Sequence, residues 1–499
     1  MDLVSGLITA LVGLAILLIV NQMIYWPRKG VPHVQTIPVI GSKYVSLFFG
    51  RTSIAEFSEE LYKNFPDAKY FGVTMWNKPI VILKDLDLIK DICVKNFDNA
   101  PDHRSFINEK MDPILGKNVF SLRGDRWREV RSALSPSFTA SKMKFLFQLV
   151  SKVSEDFTQY LIDNPEITKL IETKDAFSRY TNDVIATAAF GISVDSMKHR
   201  DNEFFFRGKD ATNLSGTKRI LKFFAGITFP RIMRFFGQTY LTKETNKFFI
   251  DLIHETVTMR DEKGIMRPDM IHLLMRARDA SGIKIDMNDI VAQAFIFFLA
   301  GFDTTSTLMS FLCHQLAYHE HIQQKLREEV DDVVKDNEFS YEMLAKLKYM
   351  DMVINETLRL YPPATFLDRV CEKPFELPPA TSNSEGMTAD RGLTFWINIY
   401  SIQRDPKYFP HPEKFDPERF NEENKANILP HSYSSFGIGP RKCIGERFAL
   451  METKLILARI IQKFIIKPSE KSTENIKIAK NSLNLTPKGG IWLKFQPRS

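Results

Sequence analysis

One cysteine near the carboxyl end stands in a loop whose residue types suit metal coordination. Cys443 is preceded by two glycines and followed by a helical pattern from Glu446 to Ile461, within the segment Phe436-Gly437-Ile438-Gly439-Pro440-Arg441-Lys442-Cys443-Ile444-Gly445. Glycine lets a backbone approach a flat group closely. The start of a helix favours a thiolate, because free N–H groups and the positive dipole end lower the pKa of the thiol. The pattern therefore predicts a thiolate metal ligand beside a flat cofactor.

The remaining cysteines give no sign of a zinc site or a disulfide framework. Cys93, Cys313, Cys371 and Cys443 lie far apart in the sequence, without CxxC or paired spacing. This usage is typical of a protein that faces a reducing compartment.

A second candidate for chemistry lies inside a long apolar helical pattern from Ile290 to Leu316. It reads Ala300-Gly301-Phe302-Asp303-Thr304-Thr305. A mid-helix glycine costs about 1 kcal/mol against alanine, and the Thr304 hydroxyl can capture the carbonyl of Ala300, so we expect a local distortion of the helix. Taken alone, the segment also fits a Ser/Thr stripe that satisfies its own hydroxyls in a packed helix.

Two further pairs of residues each place two polar groups on the same face of a helix. Glu356 and Arg359 are three residues apart, a spacing that by itself is typical of a solvated ion pair. Trp127 and Arg131 are four apart and present an indole N–H and a guanidinium on the same side.

Together these motifs resemble those of the cytochrome P-450 family. Phe436, Gly439, Arg441, Cys443 and Gly445 fill every fixed position of the family's haem loop, F-x-x-G-x-R-x-C-x-G. The resemblance implies haem b (iron protoporphyrin IX), with Cys443 as the axial ligand of the iron and dioxygen as co-substrate. It also implies monooxygenation, in which one oxygen atom enters the substrate and the other leaves as water.

The resemblance assigns roles to the other motifs. Asp303 and Thr304 would relay protons, in a groove over the haem that also includes Ala300. Haem contacts would further come from the loop residues Phe436, Gly437 and Gly445, and propionates would be bound by Trp127, Arg131, Arg369 and Arg441. His103 is open between a haem contact and an ordinary hydrogen-bonding histidine.

A structural network is implied as well. The family's E-x-x-R pair meets the arginine of a later P-E-R-F, which is present here as Pro417-Glu418-Arg419-Phe420. Glu356, Arg359 and Arg419 would lock the cysteine loop without taking part in catalysis.

The chain is rich in phenylalanine, with 40 in all, and the resemblance places several of them at pocket walls. Apolar aromatic walls suit lipophilic small-molecule substrates, although core packing is the alternative for each residue. The expected pocket residues are Phe106, Phe120, Phe295, Phe298, Phe302 and Ala300. Residues 101–106 and 134–138 look most similar to insect microsomal members that metabolise xenobiotics such as plant toxins or insecticides.

The first 26 residues predict a single-pass transmembrane anchor. The run from Leu3 to Val20 is almost wholly apolar and extends to Trp26, long enough to span a bilayer, and no basic stretch precedes it as in a cleavable signal peptide. Arg28 and Lys29 then place the remainder on the cytosolic side, with Tyr25 and Trp26 at the membrane interface. We expect the endoplasmic reticulum membrane as the location.

The remaining chain predicts a mainly α fold with small β-sheets, the cytochrome P-450 fold. Proline residues make 27–42 a stiff connector, and 43–499 form the haem-binding monooxygenase domain. Lys78–Leu83 is one of few strand-like runs. The aromatic and basic stretch 204–236 is a candidate second contact with membrane lipid.

Charge and motif content also bear on the partners. A net charge of +7 from 67 basic and 60 acidic residues is too evenly mixed for a nucleic-acid binder. Without a nucleotide or flavin fingerprint, the chain must receive electrons from elsewhere. The resemblance implies NADPH through NADPH–cytochrome reductase, and in some members cytochrome b5. Basic residues that would steer an acidic reductase are Arg126, Arg128, Lys142, Lys442 and Arg447, for which an ordinary solvated surface is the alternative.

Three other functions are compatible with parts of this pattern. They are a monooxygenase of endogenous hormone or lipid metabolism, a reductase-independent haem-thiolate isomerase or dehydratase, and a membrane haem carrier or sensor. The Asp303-Thr304 pair argues against the isomerase.

Overall fold

A computed structural model describes residues 3–37, 46–47, 50–75, 78–104, 107, 109, 112–267, 269–279, 285–335 and 337–498. Its α-helices are α1 Leu3–Arg28, α2 Ile54–Tyr62, α3 Leu86–Lys90, α4 Pro113–Gly116, α5 Gly124–Leu134, α6 Ala140–Asp163, α7 Pro165–Lys169, α8 Thr173–Ile185, α9 Glu203–Thr212, α10 Thr217–Thr228, α11 Pro230–Phe235, α12 Lys243–Lys263, α13 Met270–Asp279, α14 Met287–Tyr318, α15 Glu320–Val334, α16 Tyr341–Leu344, α17 Lys348–Leu360, α18 Ile399–Ile402 and α19 Glu446–Lys463. Its strands are β1 Tyr70–Met75, β2 Lys78–Leu83, β3 Ile171–Glu172, β4 Phe366–Val370, β5 Phe375–Leu377, β6 Met387–Ala389, β7 Thr394–Asn398, β8 Phe464–Pro468 and β9 Trp492–Pro497.

The largest described sheet joins distant parts of the chain. Its strand order is β1-β2-β7-β4, and only the β2–β7 pairing is parallel, with Ile80 opposite Thr394 and Leu83 opposite Ile397. The strand predicted at Lys78–Leu83 is confirmed with the same bounds. Its last four residues are buried on both faces, which explains why the sequence reads as a continuous apolar run. Two smaller sheets, β3-β9-β8 and β5-β6, complete the β-structure of the described residues.

Helix α14 runs through the core. It begins with a capping box in which Asp286 accepts the N–H of Asp289 while the Asp289 side chain accepts the N–H of Asp286. The helix has 32 residues and is buried along most of its length against α8, which explains its nearly all-round apolar sequence. It contains the whole predicted pattern Ile290–Leu316. The mainly α architecture with small sheets is therefore confirmed.

Helix α1 is a candidate membrane anchor, and it does not end where the sequence predicted. Its apolar segment has a mean hydropathy of 2.4 and is exposed, whereas α14, the other helix in the described part of the chain that is long and apolar enough to cross a membrane, is mostly buried. The helix continues through Pro27 to Arg28, so position 26 is not a structural break. Trp26 was expected at a membrane interface, but only 1% of it is exposed, because it is packed into the body on β1. Of the predicted connector, residues 38–42 lie outside the described part of the chain.

Candidate active site

The cysteine loop is shaped by its two glycines. The N–H of Cys443 donates to the carbonyl of Phe436 at 2.8 Å, and that of Lys442 donates to the carbonyl of Gly439 at 2.9 Å. Gly437 and Gly439 have φ values of +89° and +68°, which disfavour any residue with a Cβ. At Gly439 a Cβ would also overlap the carbonyl of Cys93. The loop conformation therefore requires glycine at both positions.

The thiol of Cys443 lies just before α19, where the sequence placed it. The side chain is accessible but recessed in the protein, and this desolvation raises the pKa of the thiol. The N–H of Gly445 and the charges of Arg131 and Lys442 act to lower the pKa but do not overcome desolvation. The expectation of a lowered pKa took account of the helix terminus but not of desolvation, which acts in the opposite direction. A bound metal cation would deprotonate the thiol outright.

Trp127, Arg131, Arg369 and Arg441 were predicted to bind propionates, and the three arginines differ in how far protein acceptors already occupy them. Arg441 is engaged within the protein: it forms an ion pair with Asp102 at 2.6 Å, donates to the carbonyl of Pro101 at 2.9 Å and stacks on the Trp127 ring at 3.9 Å. Burial lowers the pKa of Arg441 to about 10 although Asp102 acts to raise it. The residue braces the loop against the segment before α4.

Arg369 and Arg131 keep more capacity to donate. Arg369 is almost wholly buried and donates from Nη1 to Asp368 O at 2.7 Å and from Nη2 to Ile438 O at 2.9 Å, while its Nε has no acceptor. Arg131 donates from Nη2 to the carbonyl of Lys442 at 2.8 Å, next to the cysteine. An unpartnered buried guanidinium nitrogen is costly unless a ligand supplies the acceptor.

His103 has protein partners of its own. Its Nδ1 lies 2.8 Å from Oδ1 of Asp368, and its ring stacks on Phe120 at 4.7 Å. Burial lowers the pKa of His103 in spite of Asp368. Burial would raise the pKa of Asp368, but His103 and the N–H of Arg104 leave it lowered. These contacts favour the ordinary hydrogen-bonding role, and sequence reasoning missed Asp368.

The residues proposed to relay protons lie on α14. Ala300 and Thr304 are exposed one turn apart although the helix is otherwise mostly buried, so this face borders open space. The Thr304 hydroxyl donates to the carbonyl of Ala300 at 2.5 Å. The predicted back-bond is present, yet the helix continues without a break.

The carboxylate of Asp303 is held from two sides. Lys174 Nζ lies 2.9 Å from Oδ1, and the amide of Asn484 donates to Oδ2 at 3.0 Å. Lys174 comes from α8 and Asn484 from the segment before β9. Sequence reasoning missed both, because they are 129 and 181 residues away from Asp303.

The structure brings Glu356, Arg359 and Arg419 together. Glu356 and Arg359 are completely buried, with Arg359 Nε 2.7 Å from Oε2 of Glu356 and Arg419 Nε 3.3 Å from Oε1. Arg359 also donates to the carbonyl of Gln403 at 2.9 Å. The side-chain oxygen of Gln403 in turn accepts the N–H of Ser434 and the hydroxyl of Ser435, directly before the cysteine loop. Gln403 is the link that sequence reasoning did not find.

The predicted aromatic walls differ from the structure. Phe295 and Phe298 are 0% exposed and Phe302 is 2% exposed, in a cluster around Phe249 with ring centroids 4.9 and 5.0 Å from those of Phe295 and Phe298. They form core on the side of α14 that faces α12, so they offer no surface to a ligand. Phe120 is 47% exposed and remains a candidate wall residue. Phe106 lies outside the described residues.

These residues fit a haem. The accessible thiol in a glycine-shaped loop can act as the axial ligand, and the orphaned Nε of Arg369 can meet a carboxylate at the edge of the ring. Such a donor set defines a haem-thiolate protein.

Comparison with known proteins agrees with this class. The profile of the family described as cytochrome P-450 matches residues 32–494. The chain is 43% identical to cytochrome P-450 9e2 of Blattella germanica over 95% of this chain and 94% of that protein. It is 34% identical to the probable cytochrome P-450 9f2 of Drosophila melanogaster, with 95% of each chain covered. It is 33% identical to cytochrome P-450 6j1 of Blattella germanica, over 94% of this chain and 93% of that protein. The chain belongs to the cytochrome P-450 family, whose members are haem b monooxygenases that use dioxygen, and the resemblance to insect members is confirmed.

Proposed function

We propose that this chain is a membrane-anchored monooxygenase that inserts one atom of dioxygen into lipophilic small molecules, with electrons from NADPH delivered by a reductase. The observation that carries this proposal is the accessible Cys443 thiol in its glycine-shaped loop, and the exposed turn of α14 at Ala300 and Thr304 supports it. A bound haem with a thiolate ligand supplies the cleavage of the O–O bond. The protein supplies position, protons and exclusion of water.

Each site residue has a definite task in this proposal. Cys443 would coordinate the iron of a bound haem, while Arg131, Arg369 and the indole of Trp127 would donate to its propionates. The loop residues Phe436, Gly437 and Gly445 would contact the haem. The Thr304 hydroxyl can turn from the carbonyl of Ala300 toward the open side and present its proton there. Asp303, fixed by Lys174 and Asn484, exchanges protons with solvent and resupplies Thr304.

The pocket residues and the relatives support the proposed substrate class. Phe120 and Ala300 are exposed and apolar, which suits a lipophilic molecule. The similarity to insect members supports xenobiotics such as plant toxins or insecticides as substrates. An endogenous hormone or lipid is the second candidate, because the same apolar walls accept both.

We place the enzyme in the endoplasmic reticulum membrane with the body in the cytosol. The exposed apolar segment of α1, ending in Arg28 and Lys29, supports a single span with that orientation. Lipid also meets the region of α10 and α11, where Phe229, Phe235 and Phe236 are 49%, 84% and 67% exposed beside Arg231 and Arg234.

A decisive experiment is reconstitution of the full-length protein with NADPH–cytochrome reductase in lipid, with and without cytochrome b5. We expect stoichiometric haem, a thiolate-type carbon monoxide difference spectrum, and NADPH consumption that rises with lipophilic compounds and yields hydroxylated product. Cys443→Ser is expected to lose the thiolate spectrum. Histidine-type ligation would refute the haem-thiolate assignment. Haem binding without NADPH-dependent product would instead favour a carrier or sensor, and peroxide-driven rearrangement without reductase would favour an isomerase.

A further inference from the structure

The last turn of α1 is built into the body of the protein. Trp26 is only 1% exposed, and its indole N–H lies 3.2 Å from both the carbonyl of Val73 and the hydroxyl of Thr74. Beneath the ring is Gly72, where a Cβ would overlap the indole. Strand β1 thus provides a recess for this tryptophan that requires a glycine at its floor.

The residues after Trp26 extend the same contact. Gly72 donates its N–H to the carbonyl of Pro32 at 2.7 Å and accepts the N–H of Val34 at 2.9 Å, so the chain beyond the helix is paired with β1. Lys29 reaches a different element: its Nζ lies 2.7 Å from Asp390 and 3.3 Å from the carbonyl of Thr388. Contacts with two separate elements oppose rotation of the body about the axis of α1.

We propose that these contacts form a rigid joint, which we call the anchor seat (residues 25–34, β1 and Thr388–Asp390), that holds the body against the bilayer at one fixed tilt. The inference rests on the membrane anchoring proposed above. The apolar run of α1 extends to Trp26 and so overlaps the first two residues of the seat. A spanning helix therefore leaves no free tether, and Lys29 and Asp390 lie at the level of the lipid headgroups. The partner of this face is the membrane surface itself.

The joint can be tested from both of its sides in the full-length holoenzyme in lipid nanodiscs. Trp26→Ala removes the ring, and Gly72→Ala fills the recess from beneath. Trp492→Ala is the matched control, because its indole donates to the carbonyl of Gly489 and its ring contacts Lys471, both away from α1. The measurements are the rate of trypsin cleavage at Arg28 and Lys29, and the tilt of the haem plane by linear dichroism in oriented membranes.

We expect the wild type and Trp492→Ala to resist cleavage and to show one narrow tilt. Trp26→Ala and Gly72→Ala should be cut at least about tenfold faster and show a broad tilt, since cleavage needs local opening. A thiolate-type carbon monoxide spectrum shows that the body remains folded in each variant. Unchanged cleavage and tilt in both variants would overturn the joint.

Reversing the charges of the Lys29–Asp390 ion pair tests the joint without changing the packing of Trp26 on Gly72. Lys29→Glu should broaden the tilt, and adding Asp390→Lys should restore it. Failure of the anchoring proposal has a separate signature, which is release of the wild-type protein from membranes by alkaline carbonate. A protein that stays in the membrane but shows no response to the Trp26, Gly72 and Lys29 substitutions contradicts the joint alone.

Discussion

The Thr304 hydroxyl lies on the open face of the mostly buried helix α14. It has one acceptor within the protein. Its bond to the carbonyl of Ala300 is local, so the side chain can leave it at small cost and donate elsewhere. Ser310 makes the same kind of bond, to the carbonyl of Ser306 at 2.7 Å, but in the packed core. Comparing substitutions at Thr304 and Ser310 therefore distinguishes a role in proton delivery from a role in helix packing.

We predict that Thr304→Ala uncouples NADPH consumption from oxidation of the substrate. Product formed per NADPH should fall by about tenfold or more, with peroxide or water as the balance, because general acid catalysis contributes on this scale or above. The measurement is the ratio of product and peroxide to NADPH consumed. Ser310→Ala should stay coupled. Tight coupling in Thr304→Ala would remove this hydroxyl from the mechanism.

The buried carboxyl group of Asp183 makes the free energy of unfolding depend on pH. It is buried between α8 and the loop that follows, where Oδ2 accepts the N–H of Ser196 at 2.8 Å. Burial raises the pKa of Asp183 to about 6, so the folded protein binds a proton that the unfolded chain has released. The stabilisation this group provides is present below pH 4 and is lost as pH rises through about 6.

We predict that Asp183→Asn flattens this decline. The amide does not titrate, so the variant should not show the loss of about 2–3 kcal/mol that the wild type undergoes between pH 4 and 7. Thermal unfolding across that range measures the effect, with the exposed Asp201→Asn as control. Parallel pH profiles for Asp183→Asn and the wild type would contradict the assignment.

The partners of the site residues were beyond prediction from the sequence. The motifs named Arg441 and Asp303, but Asp102 and Asn484 lie 339 and 181 residues away from them. No periodic pattern records such contacts, because they depend on how elements pack. Arg441 shows the result: its geometry suits a carboxylate, and in this structure that carboxylate belongs to Asp102.

At the scale of helices and strands, the pattern of apolar residues predicted which elements form. It predicted less well which face of an element is buried. Helix α14 and strand β2 were found, and α19 ends two residues beyond the predicted Ile461. The wall assignment failed because α14 is apolar nearly all round. Its sequence groups Phe295, Phe298 and Phe302 on one stripe but does not reveal whether this stripe packs against α12 or faces open space.

The ion-pair network joins α17 to the cysteine loop through Gln403, and its burial makes it sensitive to loss of a partner. We predict that Glu356→Gln destabilises the body by about 3–5 kcal/mol, because it leaves the buried Arg359 without a counterion. The fraction of purified protein holding haem and its thermal midpoint should both fall. Glu413→Gln, at an exposed position, should match the wild type. Full haem content and an unchanged midpoint in Glu356→Gln would show that the network is dispensable.

Over the whole molecule, most of the basic residues predicted to steer a reductase are already paired. Arg126 contacts Asp289 at 2.7 Å, Arg128 contacts Asp98 at 2.6 Å, and Lys442 contacts Glu446 at 2.7 Å. Among the described residues, Lys142 and Arg447 have no ion pair. Of the five predicted residues, these two therefore carry the charges that no ion pair compensates.

We predict that Lys142→Glu with Arg447→Glu slows reduction by the reductase at low ionic strength by about tenfold and weakens its dependence on salt, because steering acts on the association rate. Stopped-flow reduction measures this directly. Arg128→Gln, which removes a compensated charge, should have a smaller effect. Equal rates at low salt for the double variant and the wild type would refute steering by these residues.

The parallel pairing of β2 with β7 has a consequence for how the protein is made. Ile80–Leu83 leaves the ribosome more than 300 residues before Thr394–Ile397. At ordinary elongation rates the hairpin waits about 15 to 60 seconds with an open edge. Nascent chains stalled within this interval should depend on chaperones that mask β-edges, and that dependence should end once residue 398 has emerged.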